Sequence, residues 1–409
     1  PYLPVMAGIP VENADVSEGV LYDVRKTIAE LVNDKFYGTL QQLAHQKNLL
    51  FSAESVSPTM LSDGMLHYQN VDLPMGEFWL RSPTHDKPND MMDAISGAHI
   101  YGKNLVQAEG FTQIRMQWDE YPGNLKALGD RNLASGMNRL VFHVFMHNPW
   151  TNRKPGVTLD AIGLLFQRDQ TWWPQAKGWI DYIRRCQALL QLGKPVTDLA
   201  VFTGEEFPRR SLLPERLVKT LPGLFGEKAI NKETKRLLNK GQPLYKQPTG
   251  VTYQVNTTTA DFWNDPLHGY TFDSFNPDAL LRLTGVQNNR LELSTGASYA
   301  ALVIPGVHKL QPDSGRMSLV VATKIRDLAK DGATIILNEQ PSATYNRNDQ
   351  PQQLQGILPD LKNSSSHSKT KNGLAVVRIG KGKIVKGPFT ASSLESLGIA
   401  RDLEAMDNS

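Results

Sequence analysis

Three glutamates follow short apolar runs that resemble β-strands. Glu109 comes after the apolar residues of KNLVQAEGFTQ, Glu54 after LLFSA and Glu77 after DLPMG. A carboxylate inside the packed interior of a parallel barrel is costly to bury, so we expect these acids at the carboxyl ends of their strands, where barrel active sites lie. Glu77 and Glu109 are 32 residues apart (109 − 77), about the length of one βα unit. They are therefore predicted to line one opening from neighbouring strands.

Two carboxylates at one opening suit hydrolysis of a glycosidic bond, in which one group protonates the leaving oxygen and another activates water or attacks the sugar. Aromatic rings with polar neighbours suit sugars, since a sugar ring is apolar on one side and carries hydroxyls around its edge. We expect substrate contacts from residues beside the strand motifs, namely Glu54, Trp118, Asp119, His143, His147 and Asn148. No HExxH, CxxC or EF-hand motif occurs, so the spacing of residues assigns no metal ligands.

These candidates also have structural interpretations. A glutamate at the end of a strand, such as Glu54, is more often a cap or an ion-pair partner than a catalyst. His143 lies among apolar residues, where a hydrogen-bonded core histidine is as reasonable as a substrate contact. His147 is better placed, because it is next to Asn148 and just past the strand. Trp172 and its neighbour, at the start of a helix, can simply pack beneath the rim of the site.

The elements that must position these residues alternate between strands and helices. Apolar residues recur every three or four positions from Glu18 to Asn48, which predicts an amphipathic helix, and strand-like and helix-like segments follow in turn to Leu192. This alternation predicts βαβ units and a parallel sheet, and we interpret residues 1–196 as the C-terminal part of a catalytic (β/α)8 barrel, an incomplete TIM-type barrel. Residues 197–409 are predicted to form a smaller doubly wound α/β domain of the flavodoxin or Rossmann type, with an irregular insertion at 208–270.

Composition limits the classes of function. The 409 residues include 44 basic and 41 acidic side chains and carry a formal charge of +3, so we expect no nucleic-acid partner and no anionic lipid partner. No apolar run reaches the roughly 18 residues that could cross a membrane. The single cysteine, Cys186, excludes an internal disulfide and favours a packing role. The chain has no initiator methionine and no leader, and we interpret it as a fragment whose upstream part is missing.

Six sequence motifs, spread over most of the chain, point to a known family. They are PYLPVMAG with YDVRKTIAEL, PMGEFW, AHIYGKNLVQAEGFTQ, FHVFMHNPW, RDQTWWPQAKGWIDYIRRCQALLQLG and VTDLAVFTGEEFPRRS. In this order the motifs resemble glycoside hydrolase family 106, the α-L-rhamnosidases, up to the closing GKGKIVKGP and LGIARDLE. The resemblance implies a (β/α)8 catalytic barrel with smaller α/β and β-rich domains after it, inversion of the anomeric centre, and a calcium ion that assists in binding rhamnose.

The same resemblance implies roles for single residues. Glu77 of PMGEFW and Glu109 of AEGF match the pair that holds and activates the attacking water, and Glu109 is the first choice for the general base. The family's general acid aligns upstream of Pro1, so the fragment alone is expected to be inactive. The resemblance leaves the calcium ligands unassigned among Glu54, Asp63 and the missing upstream part.

The predicted function of the parent protein is therefore removal of terminal α-L-rhamnose from plant polysaccharides or glycosides by direct attack of water. Its expected partner is a rhamnose-containing oligosaccharide or polysaccharide. Two alternatives stay open, namely a non-catalytic carbohydrate-binding homologue and a barrel glycosidase of another specificity, such as a β-galactosidase. By analogy with other polysaccharide-degrading enzymes, we expect a periplasmic or extracellular location.

Overall fold

The computed structural model describes most of the chain, with gaps between the described ranges. These ranges are residues 1–54, 62–80, 88–113, 118, 120–154, 163–164, 166–207, 209–211, 269–306, 315–345, 349, 351–358, 368–369, 374–387 and 391–402. Asp119 and most of the predicted insertion at 208–270 lie outside them. Among the described residues, no helix combines the length and the apolar character needed to cross a bilayer.

The chain begins with a nearly continuous helical segment. A short 3-10 helix at Leu3–Ala7 leads to α1 (Ala14–Leu31), a π-helical stretch at Val32–Tyr37 and α2 (Gly38–Gln46). Helix α1 starts where the Asn13 side chain accepts a hydrogen bond from the Val16 N–H at 2.9 Å, a standard N-cap. The predicted amphipathic helix is confirmed, with an earlier start than the apolar pattern indicated.

The first sheet is parallel, and its strands lie side by side in chain order. Its strands are β1 (Ser52–Glu54), β2 (Leu73–Trp79), β3 (Gln107–Thr112) and β4 (Arg139–Phe142). Helix α3 (Pro88–Ile100) connects β2 to β3, and α4 (Pro122–Ser135) connects β3 to β4. Helix α5 (Ala176–Leu190) follows after a 3-10 turn at Trp173–Gln175. The predicted βαβ units with a parallel sheet are confirmed, whereas closure into a barrel stays a prediction.

The second sheet has seven strands, which lie side by side in the order β12 (Ser368–Lys369), β13 (Ala375–Ile379), β14 (Gly382–Lys386), β11 (Thr334–Leu337), β10 (Ala301–Ile304), β5 (Leu199–Phe202) and β6 (Phe272–Phe275). Strands β6, β5, β10, β11 and β14 pair in parallel, and β12 and β13 add an antiparallel edge. Three other strands, β7 (Thr284–Gln287), β8 (Arg290–Leu293) and β9 (Ser298–Tyr299), form a separate small antiparallel sheet. The helical elements described in this part of the chain are a π-helical stretch at Ala279–Leu283, α6 (Leu319–Asp331), α7 (Pro351–Ile357) and α8 (Ala391–Ser396).

Helix α3 lies between the two sheets and joins them. The Ser274 N–H donates to Ser96 Oγ at 3.0 Å, and His99 Nδ1 lies 2.8 Å from Asp273 Oδ1. Burial disfavours the His99 imidazolium, but the charge and hydrogen bond of Asp273 outweigh it, so the pKa of His99 is raised. Tyr299 donates to the other Asp273 oxygen at 3.0 Å. A continuous hydrophobic core extends across both sheets, and the domain boundary at residue 196 stays a prediction.

A buried arginine fixes the other end of α3. Arg210 follows β5 and pairs with Asp90 and Asp93 in the first turns of α3, and all three side chains are almost completely buried. Removing one partner of such a cluster leaves an uncompensated buried charge, which is strongly destabilising. The cluster therefore sets the position of α3, and with it the position of the strand that α3 covers.

Candidate functional site

Strand register brings three glutamates to one face of the first sheet. Glu77 on β2 and Glu109 on β3 are paired in register, and Glu54 at the end of β1 is paired with Met75. Side chains alternate along a strand, so Met75 and Glu77 share a face, and Glu54 therefore shares it too. One carboxylate oxygen from each glutamate lies within 4.8 Å of those of the other two. The predicted convergence of Glu77 and Glu109 on one place is observed.

The two strand glutamates, Glu77 and Glu109, differ in their exposure to solvent. Glu77 is only 5% exposed, whereas the Glu109 side chain is 22% exposed. The predicted position at the carboxyl end of a strand is confirmed for Glu54, the last residue of β1, but is wrong for Glu77 and Glu109, because β2 continues to Trp79 and β3 to Thr112. The sheet keeps its pairing beyond the acids, since the Leu80 N–H still donates to the Thr112 carbonyl at 2.6 Å. The acids therefore lie within the strands, on a face that is partly open at Glu109.

Glycines beside the two strand glutamates explain the motifs PMGEFW and AEGF. A Cβ on Gly76 would lie 2.7 Å from the Asp90 carbonyl oxygen and 3.0 Å from Met91 Cα, so the backbone of α3 packs directly on β2. A Cβ on Gly110 would lie 2.7 Å from Cζ of Phe78 and would also meet the Leu140 side chain. Both glycines serve close packing behind the acids, because a side chain at either position would push the strand out of place.

Among the described residues, the side chains of Thr112 and His143 approach the Glu109 carboxylate. The Thr112 hydroxyl donates to Glu109 Oε1 at 2.6 Å, and His143 Nδ1 lies 3.7 Å from the same oxygen. The His143 side chain is 24% exposed and lies just after β4, so it is a neighbour of the site and not a fully buried core histidine. No residue pattern in the sequence points to Thr112 as a site residue. It follows AEGF directly, but its direction depends on an irregularity of the strand that no residue pattern indicated.

The N-terminal helical segment supports Glu54. The Tyr37 hydroxyl donates to the Glu54 carbonyl at 2.8 Å, and the Tyr37 ring stacks on His67 with 4.4 Å between centroids and 13° between planes. Burial lowers the pKa of His67 to about 4 and raises the pKa of Tyr37, so both are neutral at physiological pH. The contact between Tyr37 and His67 joins residues 30 positions apart (67 − 37), so no local sequence pattern predicts it.

The remaining predicted contacts are less central. Asn148 donates its amide to Asp169 Oδ2 at 2.7 Å and to Gln167 Oε1 at 3.1 Å, so its side chain anchors the loop after β4. His147 and Trp118 are exposed side chains. Asp119 lies outside the described residues. A substrate contact from any of these residues stays a prediction.

Trp172 packs in the protein interior, as its structural interpretation predicts. Trp172 is 8% exposed and its indole N–H donates to the Glu120 carbonyl at 2.7 Å. Its ring meets Trp179 of α5 at a centroid distance of 5.8 Å, in an edge-on arrangement. The structural interpretation of Trp172 is therefore confirmed, and Cys186 of the same helix likewise packs against the core.

The glutamate cluster fits a hard cation such as calcium. Calcium binds oxygen ligands at about 2.3–2.6 Å, so two ligands of one ion lie at most about 5 Å apart. The oxygens of Glu54, Glu77 and Glu109 satisfy this condition. Asp63 does not fit, because its buried carboxylate already accepts from Arg209 at 2.8 Å and from the N–H groups of Met65 and Leu66. Of the candidates that the resemblance left open, the geometry therefore favours Glu54.

Comparison with known proteins identifies the family. The family model for alpha-L-rhamnosidase, glycoside hydrolase family 106, matches residues 1–262 and 254–409. The chain is similar to the solved rhamnosidase from Novosphingobium sp. PP1Y, with a TM-score of 0.72 and 28% identity, over 100% of this chain and 34% of that one. It is also 34% identical over 337 residues to a Formosa agariphila protein named "Putative beta-glucuronidase". This match covers 82% of this chain and 24% of the relative.

The chain thus spans about a third of the solved rhamnosidase and about a quarter of the curated relative. The chain belongs to glycoside hydrolase family 106, the alpha-L-rhamnosidase family.

Proposed function

We propose that the full-length protein removes terminal α-L-rhamnose from a plant polysaccharide or glycoside by an inverting mechanism, with Glu109 as the general base. The observation that carries the proposal is the convergence of Glu54, Glu77 and Glu109 on one face of the parallel sheet. Glycosidic hydrolysis depends on carboxylates in this kind of arrangement. We further propose that the four-stranded sheet is part of a (β/α)8 barrel, since its strands are parallel and adjacent in chain order.

Glu109 is the better base of the two strand glutamates. Its carboxylate is partly exposed, whereas Glu77 is nearly buried, so a water molecule between solvent and the cluster reaches Glu109 first. In the proposed step the water oxygen bonds to the anomeric carbon while Glu109 accepts the water proton. The glycosidic C–O bond breaks, and the leaving oxygen receives a proton from the general acid. Glu77 holds the water by accepting its second hydrogen bond.

The general acid is a different residue from these three glutamates. An inverting pair lies about 6.5–9.5 Å apart, so that water and sugar fit between the two carboxyl groups. The oxygens of the cluster lie within 4.8 Å of one another, which is too close for that arrangement. We propose that the acid comes from the part of the full-length protein that this chain does not span, and that the chain alone is inactive.

Glu54 and Glu77 would also hold a calcium ion, which leaves the carboxylate of Glu109 to accept the water proton. Three carboxylates this close repel each other unless a cation or protons offset their charge. A bound calcium would supply that charge and would bind hydroxyl groups of the sugar. Side chains around the cluster would orient the sugar toward the carboxylate of Glu109. The packing around the buried Glu77 would keep bulk water away from it. By analogy with other polysaccharide-degrading enzymes, we propose a periplasmic or extracellular location.

A panel of aryl glycosides tests the proposal. The purified full-length protein is assayed on aryl α-L-rhamnoside, aryl β-D-glucuronide and aryl β-D-galactoside, and the anomer released first is identified by proton NMR. We expect cleavage of the rhamnoside with inversion. Preferred cleavage of the glucuronide would instead support the activity that the name of the Formosa agariphila relative suggests. Retention would assign a nucleophile to the cluster, and no cleavage of any glycoside would favour a carbohydrate-binding role.

A further inference from the structure

A β-bulge in β3 turns Thr112 toward the face that carries Glu109. Up to Gly110 the strand pairs residue for residue with β2, but Trp79 then pairs with Thr112, so Phe111 is an extra residue. Along a regular strand, positions three apart point to opposite faces. The extra residue shifts this alternation by one position. Glu109 and Thr112 therefore lie on the same side of the sheet.

Packing of Phe111 holds the bulge in place. Phe111 has a φ of 64°, in the left-handed region, which costs a non-glycine residue about 1–2 kcal/mol. The residue keeps this conformation because it is 1% exposed and its ring meets Phe78 edge-on, with 5.0 Å between centroids. A second ring, that of Trp179, lies 5.5 Å away. Strained backbone that the surrounding core enforces occurs often at functional sites.

The hydroxyl of Thr112 reaches Glu109 because of this geometry. Thr112 is 2% exposed, and the distance of 2.6 Å from its Oγ1 to Glu109 Oε1 is typical of a hydroxyl donating to a carboxylate. In the described part of the chain, both contacts of the Glu109 side chain, from Thr112 and from His143, are made by Oε1. The second oxygen, Oε2, is the one left to accept a proton.

We propose that Thr112 is a positioning residue, which holds Glu109 by Oε1 so that Oε2 is directed at the attacking water. This inference rests on the proposed function of Glu109 as the general base. The bulge at Phe111 has a functional consequence in this account, because without it the hydroxyl would lie on the opposite face. A carboxylate held by one oxygen keeps one orientation, and misplacement by about 1 Å can lower a rate by about 100-fold.

The test compares T112V, T112S and E109Q in the full-length protein. Valine keeps the shape of threonine but cannot donate, and serine keeps the donor but loses the methyl group. We expect T112V to lower kcat about 10- to 100-fold with KM changed less than about twofold, and T112S to keep kcat within about threefold of the unchanged protein. The thermal unfolding midpoint of each variant is measured alongside, and T112A replaces T112V if the latter does not fold.

The outcomes separate the positioning role from the general-base role. If E109Q is inactive and T112V retains full kcat, Thr112 does not position the base, and the inference is wrong while the general-base assignment stands. Equal losses in T112V and T112S would mean that packing matters and the donor does not, which also overturns it. If E109Q retains full activity, the role of Glu109 itself is wrong, whatever the threonine variants do.

Discussion

Glu77 and Glu109 are register partners on neighbouring parallel strands, and Glu77 is buried while Glu109 is partly exposed. Each has a glycine next to it that allows tight packing behind the acid, Gly76 against α3 and Gly110 against Phe78. Both acids are therefore backed by close packing, and of the two it is Glu109 that is partly open to solvent.

Replacing Glu109 should remove most of the catalytic rate. The E109Q substitution keeps the size of the side chain but removes its basicity. In the full-length protein we expect it to lower kcat on aryl α-L-rhamnoside by about 100- to 10,000-fold, the usual contribution of a general base. E18Q is a matched control, because the Glu18 side chain is 61% exposed and its ion pair with Arg25 is long, at 3.9 Å. Full activity in E109Q, with circular dichroism unchanged, would exclude Glu109 as the base.

Calcium should bind at the glutamate cluster and stabilise the fold. We expect isothermal titration calorimetry of the chelator-treated protein to show calcium binding that E54Q or E77Q weakens at least about tenfold, while E18Q leaves it unchanged. At a free calcium concentration of 100 times Kd, the free energy of unfolding should rise by about 2.7 kcal/mol. Unchanged binding heat in both variants would place any calcium site elsewhere.

The free energy of unfolding should fall in mild acid because His67 is buried in its neutral form. Burial lowers the pKa of this histidine from 6.5 to about 4, so its contribution to stability is fully present above pH 6.5 and is lost as pH falls toward 4. The loss should reach about 3 kcal/mol across that interval. H67F keeps a ring stacked on Tyr37 but cannot take up a proton.

The measurement is the free energy of unfolding in urea at several pH values. We expect the unchanged protein to lose more stability than H67F between pH 6.5 and 4. Parallel curves for the two proteins would mean that His67 does not control this acid sensitivity.

Gly76 should tolerate no side chain. The added methyl group of G76A would lie 2.7 Å from a backbone oxygen of α3, which cannot move aside as a flexible side chain can. We expect a loss of about 1–3 kcal/mol in the free energy of unfolding. Gly178 in α5 provides the control, because a Cβ there meets nothing within 4 Å, and G178A should stabilise the helix by about 0.5–1 kcal/mol. Equal effects of the two substitutions would contradict this account of the packing.

The order of strands and helices was predictable because it depends on local patterns. Apolar residues recur at helical spacing in α1 and α2, and short apolar runs mark β2 and β3. The spacing of Glu77 and Glu109 by one βα unit was enough to predict that they meet. The surroundings of His143 were not enough, because the same apolar neighbours fit a core residue and a residue that faces Glu109.

The sequence by itself determined the family, the alternation of elements and the pair of glutamates, because motifs and periodicity are properties of neighbouring residues. Only the tertiary structure decided that Glu54 joins that pair, that Glu77 is buried while Glu109 is partly open, and that Thr112 holds Glu109. These features depend on strand register and on one bulge at Phe111, and both arise from packing between segments that are far apart in the chain.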